Sequence, residues 1–473
     1  MKRLALIIVT LLGFYSLSGA KIILSPLYGD GMVLQQQSET IIAGYASGKE
    51  LTVTIPWVET PFIVPVKNGK FEVAINTPVA SRQSYSMTFK DKDSEVVLKD
   101  VLVGDVWICS GQSNMEMTMK GYNGQPIKHS VEMAMQSAKY SDLVHMFTVG
   151  RCVAEKPRPT VRGTWRKSSP ENVMTMSATA YCFAVALADA LQIPIGIISA
   201  SRSSSKIEVW MPQDLLKEKH GYDVEKINSD ANIRDISKCG LYYNGMIAPL
   251  FNYKAKGFLW YQGESNRDNP EKYPELLASM VNHWRTSWGD TENRMPFVYV
   301  QIAPYRYTDK RGLEVPVFVE AQSKALEIIP NSAMTVTTDI GEMNCIHPSD
   351  KKTVGQRAAI EAMRLAYGVD ITNASGMRPI ECVFAEGKVD VSFSNASYGF
   401  MPVEPVYGFE LAGADGVFYA ADAVIVKNKP VVTVSSLKVT DPVTVRYAYR
   451  NYPGCNLVNT LGFPAYPFSR SKE

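Results

Sequence analysis

Hydrophobic and polar positions follow three different patterns along the chain. From residue 21 to about residue 100, short runs alternate apolar and polar side chains, which is the pattern of half-buried β-strands. From 101 to about 370, uninterrupted apolar runs alternate with longer stretches of helical periodicity, and the first of these runs is VLVGDVWIC. From 371 to 473, short alternating runs return. We therefore predict an α/β domain over residues 101–370, between an N-terminal β domain over 21–100 and a C-terminal β domain over 371–473.

The apolar runs of the middle region predict the kind of sheet that it contains. Because these runs do not alternate, both faces of each strand are expected to be covered, which favours a parallel sheet with helices on both sides. The stretch ATAYCFAVALADAL predicts one helix, and residues 349–368 predict another, with Ser349 as its N-cap and Gly368 just past its end. In the N-terminal region, Asn68–Gly69 between two strand-like runs predicts a hairpin turn.

The first twenty residues differ from the rest of the chain. Lys2 and Arg3 precede an apolar stretch that runs to Leu12, and small residues follow up to Ala20. This pattern is typical of a bacterial secretory signal peptide over residues 1–20, cleaved after Ala20. We expect a periplasmic or secreted protein without membrane insertion after cleavage. Retention of the segment as a membrane anchor is the alternative.

The composition argues against several classes of function. Of the 473 residues, 46% are hydrophobic and 20% are charged, and the formal net charge is +2, so no excess of basic charge points to nucleic acid. The seven cysteines form no Cys-x-x-Cys pair, which argues against a zinc site, and their odd number leaves at least one free thiol. Cys109 and Cys182 lie in apolar runs, where buried thiols are expected.

Polar and titratable residues follow four of the predicted strands. They occupy residues 110–114, 201–205, 262–266 and 347–350. The carboxyl ends of parallel strands meet at one edge of a sheet, which is where such sheets bind ligands. A hydroxyl, an imidazole and glycine-containing turns are the parts needed for acyl transfer: a serine nucleophile, a histidine base and N–H donors for the oxyanion.

Several motifs in a fixed order carry a resemblance to a known family. The chain contains CSGQSNMEM, LYYNGMIAPL, FLWYQGESN, PFVYVQIAPY and DIGEMNCIHPSDKKTVGQRAA. Together they resemble the sialate O-acetylesterase family, a branch of the SGNH-type carbohydrate esterases, over nearly all of the chain after residue 20. The resemblance implies a three-layer SGNH-hydrolase-like α/β domain with a parallel sheet, flanked by β-sandwich-like domains. It also implies a serine esterase that removes O-acetyl groups from sugars, above all O-acetylated sialic acids, without a metal or organic cofactor.

The same resemblance assigns roles to individual residues. Ser113 matches the nucleophile that carries the acetyl group, and His347 matches the general base. Oxyanion donors and substrate-binding groups are implied at Gln112, Ser203, Ser204, Gln262, Gly263 and Glu264. Arg202 replaces an aromatic residue of the family pattern and is a further candidate for substrate binding. Ser203 and Ser204 stand where the family has Gly-Gly, so this turn lacks the freedom of glycine at positive φ.

The motifs do not define the third member of a catalytic triad. Relatives in the wider superfamily place an aspartate three residues before the histidine, and here Asn344 occupies that position. The nearest upstream carboxylates, Asp339 and Glu342, are the candidates. A Ser–His dyad oriented by a backbone carbonyl is the alternative.

Other interpretations stay open at this point. Ser113 is also a suitable N-cap for the helix that follows it. Arg202 is a candidate either to bind a sugar carboxylate or to pair with Glu208, and Glu264 is a candidate to bind backbone amides near the end of its strand. Acetylated hemicellulose is the alternative substrate, and a catalytically inactive glycan-binding protein is the alternative function.

Overall fold

The computed structural model of the protein describes residues 22–308, 311–401 and 405–472. The predicted signal peptide, residues 1–20, lies outside the described residues. Within the described ranges, no helix is long and apolar enough to cross a membrane.

Eight strands form the N-terminal region and connect it to the centre of the molecule. They are β1 (Ile23–Leu24), β2 (Val33–Gln35), β3 (Glu39–Tyr45), β4 (Glu50–Thr54), β5 (Phe62–Pro65), β6 (Lys70–Asn76), β7 (Ser81–Lys90) and β8 (Glu95–Gly111). Strands β1, β3 and β6 form one sheet, and β4, β5 and β7 join a second sheet through β8. The first part of β8 pairs with β7 and the second part lies in the central sheet, so one strand runs across the predicted boundary at residue 100.

The turn at Asn68–Gly69 forms as predicted, but it does not join a paired hairpin. Both residues have positive φ, 53° and 75°, and Lys67 and Lys70 exchange backbone hydrogen bonds across the turn. Strand β5 nevertheless pairs with β4, whereas β6 pairs with β3. The turn therefore moves the chain from one sheet to the other, and the prediction of a hairpin is wrong beyond the turn itself.

The central sheet follows the order β10-β9-β11-β8-β12-β13-β14. Its further strands are β9 (Val144–Thr148), β10 (Trp165–Lys167), β11 (Ile195–Ser201), β12 (Gly257–Tyr261), β13 (Phe297–Val300) and β14 (Ser332–Thr335). All neighbours along this path are parallel except β9 and β10, which pair antiparallel at the edge. The carboxyl ends of β8, β11 and β12 therefore lie side by side.

Helices cover both faces of this sheet. The helices are α1 (Ser113–Glu116), α2 (Ser130–Gln136), α3 (Pro170–Val173), α4 (Ala178–Leu191), α5 (Gln213–His220), α6 (Val224–Ser229), α7 (Tyr273–Ser287), α8 (Glu314–Ile328) and α9 (Lys351–Tyr367). Alternate residues of β8 point to opposite sides: Trp107 packs in the core beneath α4 and α9, and Ile108 packs in the core that includes α7 and α8. Two buried layers explain why the strands are apolar without alternation.

The two predicted long helices are confirmed. Helix α4 spans the predicted segment, and Gly368, with a φ of 68°, ends α9 as expected. The N-cap of α9 is Asp350 rather than Ser349, because the Asp350 side chain accepts a hydrogen bond from the Thr353 N–H at 3.0 Å. The helix thus begins one residue later than the sequence predicts.

The C-terminal region consists of two four-stranded sheets around a common core. Their orders are β15-β16-β20-β19 and β18-β17-β21-β22. The strands are β15 (Pro379–Ala385), β16 (Lys388–Phe393), β17 (Phe409–Ala412), β18 (Phe418–Ala420), β19 (Asp422–Ile425), β20 (Val431–Ser435), β21 (Thr444–Tyr447) and β22 (Phe468–Ser471). This sandwich contacts the α/β domain, for example through the Tyr449 hydroxyl, which donates to Glu320 of α8 at 2.6 Å. The predicted architecture, an α/β domain flanked by β-sheets at both termini, is confirmed.

All seven cysteines are free thiols in this structure. Cys109 on β8 and Cys182 on α4 are buried, as predicted.

Candidate active site

Strand β8 ends in a turn that requires glycine. Gly111 has a φ of 139°, and a Cβ atom there would lie 2.2 Å from the carbonyl oxygen of Tyr261 on β12. Helix α1 begins at Ser113, and its N-cap is Gln112. The interpretation of Ser113 as a helix cap is therefore wrong. Ser113 is 6% exposed, and its backbone N–H has no hydrogen-bond partner among the described residues, so this N–H is available to a ligand.

Asn114 joins the turn after β8 to two of the three other polar segments. Its Nδ2 donates to Glu264 Oε1 at 2.6 Å and to the carbonyl oxygen of Ile346 at 3.2 Å, and its Oδ1 accepts from Lys351 Nζ at 2.5 Å. One buried amide therefore connects the end of β8, the end of β12 and the loop that carries His347. The expectation that Glu264 binds backbone amides holds for its own N–H, and the Asn114 side-chain amide is a second partner.

The ionisable groups around Asn114 are buried. Lys351 is completely buried, and this burial lowers its pKa to about 7, with the nearby Glu264 carboxylate opposing the shift. Burial also raises the pKa of Glu264, whose Oε2 has no hydrogen-bond partner within the described ranges. Burial therefore disfavours the charged form of both groups, and the Asn114 amide is hydrogen-bonded to each of them.

His347 lies in the loop before α9 and is half-buried. Its Nδ1 is 2.6 Å from Gln125 Oε1, and its ring packs edge-to-face on Tyr122 with 5.1 Å between ring centroids. The Tyr122 hydroxyl donates to the carbonyl oxygen of Ser113 at 3.2 Å. Tyr122 thus contacts both residues of the candidate pair. No direct hydrogen bond joins the Ser113 and His347 side chains in the described structure, a looseness that unliganded active sites often show.

A tight turn at residues 122–125 presents the two side chains that touch His347. Tyr122 and Gln125 exchange backbone hydrogen bonds of 3.1 and 3.0 Å across Asn123–Gly124. Gly121 precedes the turn with a φ of 77°, and a Cβ there would lie 2.3 Å from the Gln125 carbonyl oxygen. The close approach of Gly121 to the Gln125 carbonyl fixes the turn. The fixed backbone in turn limits where the Tyr122 and Gln125 side chains can lie.

The turn after β11 contacts the same helix. Ser203 donates its backbone N–H to Glu116 Oε2 at 2.7 Å and its hydroxyl to the same oxygen. The Ser203 N–H is therefore already used, whereas that of Ser204 has no partner among the described residues. Ser204 has a φ of 60°, the left-handed conformation that the Gly-Gly pattern would favour. Arg202 Nη1 lies 3.5 Å from Glu116 Oε1.

Glu208 does not pair with Arg202. Its carboxylate accepts hydrogen bonds from Tyr222 and Asn266, both at 2.9 Å. The expectation of an Arg202–Glu208 salt bridge is therefore wrong.

The block after β12 is tightly hydrogen-bonded. Gln262 is fully buried, and its Nε2 donates to the Ser205 carbonyl oxygen at 3.0 Å and to Asn266 Oδ1 at 2.7 Å. The Gly263 N–H donates to Gln112 Oε1 at 3.3 Å. Both amide hydrogens of Gln262 are thus used inside the protein, so a role as oxyanion donor requires one of these bonds to open.

The two candidate acids have other partners. Asp339 forms two hydrogen bonds of 2.7 Å with Arg357 on α9. Glu342 Oε1 accepts from the Ser349 N–H at 2.7 Å. Neither carboxylate is hydrogen-bonded to His347 in this structure, where the group on the imidazole Nδ1 is the Gln125 amide.

Sequence reasoning missed several residues that organise the site. They are Asn114, Glu116, Tyr122, Gln125 and Lys351. The Asn123–Gly124 dipeptide is a turn signal. It does not follow a strand of the sheet, so the rule that sites form at the carboxyl ends of parallel strands (the strand-end rule) gave no reason to place it near the histidine.

Comparison with known proteins identifies the family. Residues 103–364 match the carbohydrate esterase family described as sialic acid-specific acetylesterase. The chain is 29% identical to the sialate O-acetylesterase of Mus musculus over 413 residues, covering 76% of this chain and 73% of the mouse protein. It is 30% identical to the sialate O-acetylesterase of Homo sapiens over 388 residues, covering 76% of this chain and 70% of the human protein.

A solved structure extends the similarity to the whole fold. The crystal structure of a carbohydrate acetylesterase from Xanthomonas citri matches with a TM-score of 0.85 and 29% identity, covering 96% of this chain and all of the bacterial one. The match includes both flanking β regions, and the family match spans more than half of the chain. The chain therefore belongs to the sialic acid-specific acetylesterase family of carbohydrate esterases and is a carboxylic ester hydrolase.

Proposed function

We propose that this esterase removes O-acetyl groups from sialic acids through an acetyl-Ser113 intermediate, with His347 as the general base. The observation that carries the proposal is the convergence of the two loops: Asn114 binds the backbone beside His347, and Tyr122 contacts both Ser113 and the imidazole. A secretory signal over residues 1–20 would place the reaction in the periplasm or outside the cell.

The proposed reaction has two halves. Ser113 Oγ forms a bond to the acetyl carbonyl carbon while its proton passes to His347 Nε2, the ring nitrogen that Gln125 does not occupy. When the bond between the carbonyl carbon and the sugar oxygen breaks, His347 returns the proton to the departing hydroxyl. Water then attacks the acetyl-serine, gives a proton to His347, and acetate leaves as Ser113 regains its hydrogen.

The developing oxyanion needs N–H donors already in place. The Ser113 N–H meets this requirement, because it begins a helix and has no partner among the described residues. Ser204 is the second candidate donor, since the Ser203 N–H is held by Glu116.

Two arginines, each in contact with an element that carries one residue of the candidate pair, support a carboxylated sugar as substrate. Arg202 reaches Glu116 of α1 only at 3.5 Å, and its Nε is buried without a hydrogen-bond partner in the described structure. Arg306 lies beside the histidine loop, with its Nη2 donating to Asn344 Oδ1 at 3.3 Å. A guanidinium with unused donors is suited to bind a carboxylate with two parallel hydrogen bonds.

The substrate assignment predicts a dependence on the sugar carboxylate. We expect Arg202→Met to lower kcat/KM for an O-acetylated sialic acid roughly 10–100-fold, the effect of losing a charge-assisted hydrogen bond, with p-nitrophenyl acetate hydrolysis changing less than about threefold. Arg166→Met, at an exposed arginine of the edge strand β10, is the matched control and should change neither rate. Acetate release is measured for the sialic acid, its methyl ester and acetylated xylan oligosaccharides. Faster release from xylan, or no preference for the free acid over its methyl ester, would overturn the assignment.

A further inference from the structure

The hydrogen bond at His347 Nδ1 determines which ring nitrogen carries the proton. Gln125 Oε1 is 2.6 Å from Nδ1, and a carbonyl oxygen can only accept, so the ring nitrogen must be the donor. The neutral imidazole has one N–H, which leaves Nε2 unprotonated and able to accept a proton. The contact therefore favours the tautomer that a general base requires.

Gln125 is itself held in place. Its backbone N–H and carbonyl both bond to Tyr122 across the turn, and the carbonyl packs against Gly121 so closely that only glycine fits there. The imidazole thus has the Gln125 amide on one nitrogen and the Tyr122 ring against its plane. Both contacts come from one short turn that also reaches Ser113.

The carboxylates that could replace this amide are engaged elsewhere. Asp339 binds Arg357 and Glu342 binds the Ser349 N–H, while Asn344, an amide at the position of the usual aspartate, bonds to Arg306. A carboxylate beside Nδ1 would stabilise the imidazolium by its charge, whereas an amide orients the ring without a net charge.

We propose that Gln125 is the positioning residue for His347 and takes the place that a carboxylate has in a Ser–His–Asp triad. The inference rests on the proposed role of His347 as the base. It predicts an enzyme whose base stays neutral, and therefore active, well into acidic pH, because no negative charge holds a proton on the ring.

The groups around the ring agree with this expectation. Burial lowers the pKa of His347 to about 4, and the positive charge of Lys351 adds to the shift. Among the described residues, Lys351 from α9 is the charged group that acts on the ring, and the Tyr122 ring packs against it. Cys345 bonds to the His347 carbonyl oxygen, Glu342 and Asp350 lie near Lys351, and Glu116 and Arg202 lie near Tyr122. The lower pKa means that kcat/KM should fall only as the pH drops toward about 4.

The test is the pH profile of kcat/KM for p-nitrophenyl acetate. Gln125→Glu adds a negative charge at Nδ1, which favours the imidazolium, so the acidic limb should move upward by about one to three pH units. Gln125→Met keeps the length but removes the acceptor, and it should lower kcat roughly 10–100-fold with KM nearly unchanged. Asp339→Asn is the comparison: it should lower the midpoint of thermal unfolding without moving the limb.

Different outcomes test the role of Gln125 and the proposed catalytic pair. An unmoved limb in Gln125→Glu, or a limb that moves in Asp339→Asn instead, overturns the role of Gln125. Ser113→Ala and His347→Ala are assayed in parallel, because activity that survives in them would reject the catalytic pair itself. If the Gln125 variants do not fold, ¹⁵N spectra of the wild-type histidines, assigned with His347→Ala, provide a second test: a protonated Nδ1 is expected, and a protonated Nε2 would overturn the inference.

Discussion

Ser113→Ala is expected to lower kcat for acetyl-ester hydrolysis by about 10⁴-fold or more, because the acetyl group then has no oxygen to bind covalently. The Ser113 side chain makes no hydrogen bond within the described residues, so the fold should be retained. The measurement is the initial rate on p-nitrophenyl acetate together with the midpoint of thermal unfolding.

Ser130→Ala serves as the matched control for this variant. Ser130 also begins a short helix, α2, but lies outside the polar segments of the site. The control should keep near wild-type activity. Turnover by Ser113→Ala within a factor of ten of the wild type would mean that another group attacks the ester.

Among substitutions in the site that keep the shape of the side chain, Asn114→Asp is expected to lower the stability of the protein most. It removes the donor to Glu264 and places a second carboxylate beside a buried one, while Lys351 keeps an acceptor. Losing one partner in a buried charged cluster costs about 3–5 kcal/mol, so the midpoint of thermal unfolding should fall by many degrees. Because Asn114 also binds the Ile346 carbonyl, kcat should fall as the histidine loop loses its support.

A second substitution distinguishes this network from a general intolerance of the position. Adding Glu264→Gln to Asn114→Asp restores a donor opposite the new carboxylate and should recover a large part of the lost stability. Double-variant stability equal to the sum of the two single losses would show that Asn114 and Glu264 do not act together.

The strand-end rule predicted much of the site because it depends on topology alone. Parallel strands β8, β11 and β12 must end at the same edge, so the segments at Ser113, Ser203 and Gln262 could be brought together from the apolar pattern of the chain. The replacement of Gly-Gly by Ser203–Ser204 indicated a backbone position at which glycine would be favoured. Ser204 does adopt a positive φ.

Pairings across long separations could not be predicted in the same way. Gln125 lies in a turn that follows no strand, and its contact with His347 spans 222 residues. Asp339 is close to His347 in sequence, yet Arg357 on α9 presents a fixed pair of donors that matches its carboxylate. Proximity in sequence made Asp339 a candidate partner for the imidazole. Its ion pair with Arg357 of α9 shows why proximity alone was misleading.

The role of Ser113 as the nucleophile is tested most directly by a serine-directed fluorophosphonate, followed by peptide mapping. We expect one phosphonyl group per chain, bound to Ser113, with loss of acetyl-ester hydrolysis in proportion to labelling and much slower labelling in His347→Ala. Inactivation with the label on another residue, or full activity with Ser113 completely labelled, would contradict it.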